Sequence, residues 1–308
     1  MAILRIEGVV YGVEDLAAGT RFFSDVGLET VRTDPGSSVF RTPVNQSVEL
    51  RAQADPTLPP AVYAGSGIRE MVWGVDSPAA LEAIARDLST DRPVSVDAEG
   101  TVHSQDLTGY GIAFRLTQAA PFHETPRSVN TPTHIGRLSE NATTHGRARP
   151  VRLMHIAMDI PAAHHEAANN FYIQRLGFKV IDRSVPVGDF MQCEGSIEHH
   201  NLLLVHRTNR ASTNHVALEV RDHDEVIEGG NFMTEQGWKE ARRLGRHTLG
   251  SNVFRFFHSP CGGRIELAHD MDRMDKSFKT RVWEKAPPHH LWILKFPGDE
   301  ERSQGRHD

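Results

Sequence analysis

Apolar positions along this chain recur in short blocks whose spacing switches between alternation and a helical period, which predicts a repeated β-α-β-β-β order. Residues 4–11 read as a strand, Val13 to Val26 as an amphipathic helix ending at Gly27, and the stretch to about Arg51 as three short strands separated by Pro and Gly. The same order recurs from Gly67, with a strand to Val75, a helix over Pro78 to Leu88, and strands near Val94, Val102 and Ile112. A third copy starts at Val151, with a strand to Met158 and Pro161 at the start of a helix that ends near Gly177. Its strands cover Phe178 to Val185, Phe190 to Cys193 and His200 to His206. The fourth copy begins at Thr213, with a helix over Asp224 to Gln236 and strands near Arg246, Phe254 and Ile265.

Copies one and three share a helix-end phrase, Phe22-Phe23-Ser-Asp-Val-Gly-Leu against Phe171-Tyr172-Ile-Gln-Arg-Leu-Gly-Phe. Internal self-similarity is stronger evidence of architecture than any single strand assignment. The expected fold class is therefore α+β: four βαβββ modules paired into two domains, each a curved mixed sheet. Residues 1–118 form the expected first domain and 151–297 the second. The segment 119–150, with Pro121, Pro126, Pro132 and Pro150 among many Ser, Thr and Asn residues, reads as a surface linker, and 298–308 as a polar tail.

Composition narrows the function classes. A formal net charge of -6 over 308 residues, with no run of Lys or Arg, argues against nucleic-acid and anionic-membrane partners. No apolar stretch approaches a membrane span and the N-terminus shows no secretory pattern, so a cytoplasmic protein is expected. Two cysteines, Cys193 and Cys261, are too few for a disulfide framework and read as packing residues. Of 18 histidines only His103 precedes residue 119, which assigns imidazole chemistry to the second half.

Within that half one pattern occurs three times. His155, His215 and Glu266 are each followed two positions later by alanine, in His155-Ile-Ala157, His215-Val-Ala217 and Glu266-Leu-Ala268. Alternate residues of a strand share a face, so a coordinating side chain stands beside a small one that leaves room for a ligand. Two imidazoles and a carboxylate on one face suit an open Fe(II) site with positions left for substrate and O2. Aligning the modules by their helices sets Glu70 opposite His215 and Ala113 opposite Glu266, so the first half lacks the ligand set and reads as a scaffold.

The phrases Leu244-Gly245-Arg246-His247-Thr248, Asn252-Val253-Phe254, Ser259-Pro260 and Gly263-Arg264-Ile265-Glu266-Leu267 resemble the type I extradiol ring-cleaving dioxygenases of the vicinal oxygen chelate (glyoxalase/bleomycin resistance/dioxygenase) superfamily. The similarity spans nearly the whole chain. It implies the vicinal oxygen chelate fold, with His155, His215 and Glu266 as ligands of Fe(II) and Mn(II) as the alternative ion. It also implies an acid-base histidine within Glu198-His199-His200-Asn201-Leu202, read as His199, and His247 as the contact to the substrate oxygen. Many members carry a tyrosine nine residues after the His247 position, where this chain has Phe256, a side chain unable to donate a hydrogen bond.

The implied reaction is extradiol cleavage of a catecholic ring with both atoms of O2 entering the product, as in aromatic catabolism. His199 serves first as base toward the diol and then as acid. Ala157, Met191, His200 and Phe256 are candidates for the substrate pocket, and Arg242 for an anionic substituent or a solvated surface position. His164 and His165 on a helix, and His289 and His290 in a Pro-rich stretch, read as solvent-facing. Expected partners are a small aromatic diol, O2 and further copies of the chain in a homo-oligomer. Three alternatives stay open: a hydroquinone-cleaving dioxygenase, a metal-dependent isomerase or transferase, and a ligand-sequestering protein of the same superfamily.

Overall fold

A computed structural model describes residues 2–124 and 126–296; the tail read at 298–308 lies outside the described residues. The first half runs β1 (Ile3–Val13), α1 (Leu16–Val26), β2 (Glu29–Asp34), β3 (Ser37–Arg41), β4 (Ser47–Ala52), β5 (Gly67–Val75), α2 (Pro78–Leu88), β6 (Ser95–Val96), β7 (Val102–Gln105) and β8 (Gly111–Leu116). The second runs β9 (Arg152–Pro161), α3 (His165–Asn170), β10 (Lys179–Ser184), β11 (Gly188–Gln192), β12 (Leu202–Arg207), β13 (Ser212–Glu219), α4 (His223–Glu235), β14 (Glu240–His247), β15 (Val253–His258), β16 (Arg264–His269), β17 (Arg281–Trp283) and β18 (His290–Ile293).

Local chemistry sets the helix ends. Asp15 caps α1 by accepting from the Ala18 amide, and Gly27 closes it at φ 102°, a conformation that favours glycine. Copy three has one more residue than copy one between its first aromatic and its glycine, since Phe22 to Gly27 is five steps and Phe171 to Gly177 six. The extra residue is absorbed as a π turn over Phe171–Arg175, where the Leu176 amide bonds back to Phe171 O, and Gly177 still closes the end at φ 73°. Phe171 and Tyr172 thereby remain buried, as Phe22 and Phe23 are.

The strands form two mixed sheets in an α+β architecture. One has the order β2-β3-β4-β1-β5-β8-β7-β6 and the other β17-β10-β11-β12-β9-β13-β16-β15-β14-β18. Trp73 on β5 meets Phe178 edge to face at 5.0 Å, and Phe22 on α1 meets Trp238 at 4.9 Å, so one hydrophobic core runs through both halves. No helix among the described residues is long and apolar enough to cross a membrane.

β17 and β18 are absent from the sequence pattern. They occupy opposite edges of the second sheet, yet only Glu284 to His289 joins them. Seven chain steps reach at most roughly 25 Å, whereas ten strands laid flat would span about 43 Å. The sheet therefore rolls into a cup, and this strap crosses its mouth.

A candidate metal centre in the second sheet

His155, His215 and Glu266 project from adjacent strands β9, β13 and β16. Ala217 is paired with His155 on one side and Glu266 on the other, and His215 lies one pleat away opposite Ala157. Their Nε2, Nε2 and Oε2 atoms converge: 2.9 Å between the imidazoles, 3.2 Å from His155 to Glu266 and 3.4 Å from His215 to Glu266. All three side chains are buried.

The donor set fits a cation. Two imidazole nitrogens about 2.1 Å from one ion, at right angles to it, lie about 3.0 Å apart, close to the separation found. Glu266 Oε2 is buried with no hydrogen-bond partner, a costly state for a carboxylate oxygen that faces no ion. Burial pulls the Glu266 carboxyl upward, but the imidazoles of His155 and His247 beside it hold it well below the usual carboxylate range. His215 is held well below the ordinary histidine value by burial, which outweighs the attraction of Glu266 and leaves its ring neutral.

Outer partners aim these ligands. Asn214 Nδ2 donates to Asp159 Oδ1 at 2.7 Å, which turns Asn214 Oδ1 toward His215 Nδ1, also at 2.7 Å. An Nδ1–H donated to that oxygen leaves the His215 Nε2 lone pair free for an ion. Asn214 and His215 are consecutive, yet both line the cavity, because the β13 register slips against β9 between Thr213 and His215. Asn252 Nδ2 donates to Glu266 Oε1 at 2.8 Å and fixes the carboxylate from its other side.

The first sheet offers no equivalent set. By register, Gly8, Glu70 and Ala113 take the places of His155, His215 and Glu266. A Cβ at Gly8 would fall 2.4 Å from Ser47 Oγ, and Glu70 is engaged with His103 Nδ1 at 2.8 Å.

The centre floors a cavity of about 110 Å³, on the order of one aromatic ring. Phe190, Leu203, Val205 and Leu249 form its apolar wall around Ala157. Phe256 stands 5.2 Å from His215, with the Arg242 and Arg264 guanidinium groups each 5.4 Å from its ring. Arg242 reaches the cavity and contacts His289 Nε2 at 3.0 Å; burial, reinforced by Arg264, brings its pKa down to about 10. Two desolvated guanidinium groups make this wall receptive to an anion.

Several expectations are corrected. Met191 does not reach the cavity: it packs in the main core, and its neighbour Phe190 faces the site, as strand alternation requires. The sequence points to His199 as the residue facing the metal, but His200 lines the cavity, its ring 4.1 Å from that of His155. His199 is wholly buried behind it, its amide donating to Asp272 O and its side chain drawn to Asp182. The pair precedes β12, so alternation along that strand does not decide between them. His289, read as solvent-facing, is exposed but also borders the cavity, while His290, read the same way, is half-buried and starts β18 opposite His247. His247 itself stacks on Phe254 at 4.0 Å with Nε2 3.5 Å from Glu266 Oε1.

Three comparisons agree with this architecture. Residues 152–267 match the Glyoxalase/Bleomycin resistance protein/Dioxygenase superfamily model. Metapyrocatechase 2 of Cupriavidus necator is 35% identical over 126 residues, a match spanning 41% of this chain and 38% of that relative. The Mn(II)-bound glyoxalase from Novosphingobium aromaticivorans superposes with a TM-score of 0.70 at 22% identity, covering 93% of this chain and 89% of the other. Homoprotocatechuate 2,3-dioxygenase from Arthrobacter globiformis gives 0.69 at 20% identity, covering 92% and 84%. At these identities the structures speak to fold. The resemblance to the extradiol dioxygenases of the vicinal oxygen chelate superfamily thus stands on a family model, a relative and shared architecture.

Proposed function

We propose that this chain is an extradiol dioxygenase that opens an aromatic ring bearing vicinal hydroxyl groups. The observation that carries the reading is the convergence of His155, His215 and Glu266 on one point at the floor of a ring-sized cavity. These three residues would hold Fe(II), with Mn(II) as the alternative. When bound, the ion supplies Lewis acidity toward the diol oxygens and an open position for O2 beside them.

The remaining chemistry belongs to the chain's own side chains. His200, at the cavity wall, takes the acid-base role that the sequence assigns to His199: it accepts a hydroxyl proton on substrate entry and returns one later. His247 Nε2 lies 3.5 Å from Glu266 Oε1; with its hydrogen on Nε2, His247 donates to a substrate oxygen beside the centre. Phe190, Leu203 and Phe256 exclude water from around the ring. Arg242 and Arg264 meet a negatively charged substituent.

Phe256 supports a second reading, cleavage of a hydroquinone, because the hydrogen-bond donor that many relatives place there is missing. Anaerobic purification, metal analysis and loading with Fe(II) or Mn(II), followed by O2 uptake on a catechol and hydroquinone panel, test both. Coloured ring-opened product from a catechol supports the primary reading. Uptake with hydroquinone alone supports the second, and no uptake with any diol by the loaded protein rejects both.

A further inference from the structure

His199 does not line the cavity over the centre, yet it joins two buried groups. Its Nε2 lies 2.6 Å from Asp182 Oδ2, and its Nδ1 lies 3.0 Å from Nδ1 of His200. Asp182 and His199 are both fully enclosed. Burial raises the Asp182 carboxyl, but hydrogen bonds from His199, Arg281 and Trp283 bring it down to about 2, so it is an acceptor at neutral pH. Nε2 of His199 must then carry the hydrogen.

The charge on His199 decides which imidazole donates across the Nδ1 contact. Arg281 grips Asp182 through Nε and Nη2, and Trp283 Nε1 donates to Oδ1 at 2.8 Å, so the carboxylate is already neutralised. A second positive charge on an enclosed imidazole would have to share a carboxylate that Arg281 already pairs with. A neutral His199 protonated at Nε2 has a lone pair at Nδ1. Two facing Nδ1 atoms are then satisfied in one way, with His200 donating and His199 accepting.

We propose that Asp182 and His199 form a buried relay that fixes the tautomer of His200, so that His200 presents an unprotonated Nε2 to the cavity. Neither residue touches the cavity, and both act as positioning residues. The relay is tied to the strap, because Arg281 and Trp283 are the two ends of β17. Its functional meaning rests on the ring-cleavage reading. There the diol O–H bond breaks, its electron pair stays on oxygen, and the proton joins His200 Nε2.

The test is imidazole NMR on the 15N-labelled, metal-free protein, reading tautomers from long-range proton–nitrogen couplings and assigning them with H199N and H200N. The expected pattern is hydrogen on Nδ1 of His200 and on Nε2 of His199. D182N, whose amide can donate to His199, should invert both tautomers. A His200 signal with hydrogen on Nε2 in the unaltered protein overturns the proposal, as does a D182N protein, folded by circular dichroism, whose His200 signal is unchanged. In the metal-loaded enzyme, H199L should lower kcat roughly 100-fold with KM and metal content held, and H199N, which keeps an acceptor toward His200, should recover most of it. Equal kcat in H199L and the parent also overturns it. If no diol is cleaved, the ring-cleavage reading fails while the imidazole signals still decide the relay.

Discussion

The Nε2 atoms of His155 and His215 face one another across 2.9 Å, with Glu266 Oε2 3.2 Å from the first and 3.4 Å from the second. At most one hydrogen fits between two imidazole nitrogens, and the carboxylate oxygen beside them has no hydrogen-bond partner. A divalent ion at the shared point would satisfy all three atoms at once.

Glu266→Gln removes the one negative charge among the three converging side chains while keeping its shape. Metal affinity should fall more than about 100-fold, beyond the range typical of outer-shell changes, and ring cleavage should drop with it. Metal content by mass spectrometry checks this; full occupancy with full activity would remove Glu266 from the centre.

Asn214→Ala leaves the ligands in place but releases the His215 ring. The expected cost is about 10- to 100-fold in metal affinity. Competition with a chelator of known strength measures it, and an unchanged affinity would show that Asn214 does not aim the ligand.

His200→Asn should keep the ion and lose turnover by about 100-fold or more, the usual reach of a positioned acid-base group. Metal analysis alongside steady-state kinetics separates the two effects. Turnover equal to the parent would send the acid-base role elsewhere.

Arg242→Met preserves bulk at the cavity wall and deletes a cation. KM for a carboxylate-bearing catechol should rise about 10- to 100-fold, while KM for unsubstituted catechol moves little. Equal changes for both substrates would place Arg242 in packing rather than in recognition.

His103 gives the fold a pH dependence remote from the centre. Hydrogen bonding to Glu70, with a smaller contribution from Asp97, raises its pKa from 6.5 to about 9. A raised folded value means that the stabilisation is fully present below pH 6.5 and lost as pH climbs through 9. Solvent screening of this partly exposed pair reduces the effect to about 1 kcal/mol. Urea unfolding at pH 6 and pH 9.5 should show that loss in the parent and not in His103→Gln.

Features with a local signature are readable in the chain. The first helix announces itself by a cap and a terminal glycine, Asp15 and Gly27, and each candidate ligand by its alanine two residues on. Features that escape such reading depend on partners distant in sequence. β17 and β18 are short, lack alternation and flank Pro287-Pro288, so only their pairing with β10 and β14 makes them strands. The slip at Thr213 that brings Asn214 into the cavity has no composition cue. Choosing between His199 and His200 requires Asp182, which lies 17 residues upstream. Met191 and Phe190 differ by a single position, the smallest error a strand permits and enough to exchange cavity for core.

Because one short run of backbone is sewn to both rims of the second sheet, the aperture over the cavity is governed by residue number. Each residue added between Trp283 and His290 would lengthen the tether by up to about 3.5 Å and let the rims spread, and each one removed would pinch them or rip a seam. The width of that opening is thus encoded partly as a length of thread, separate from the side chains that line the cavity.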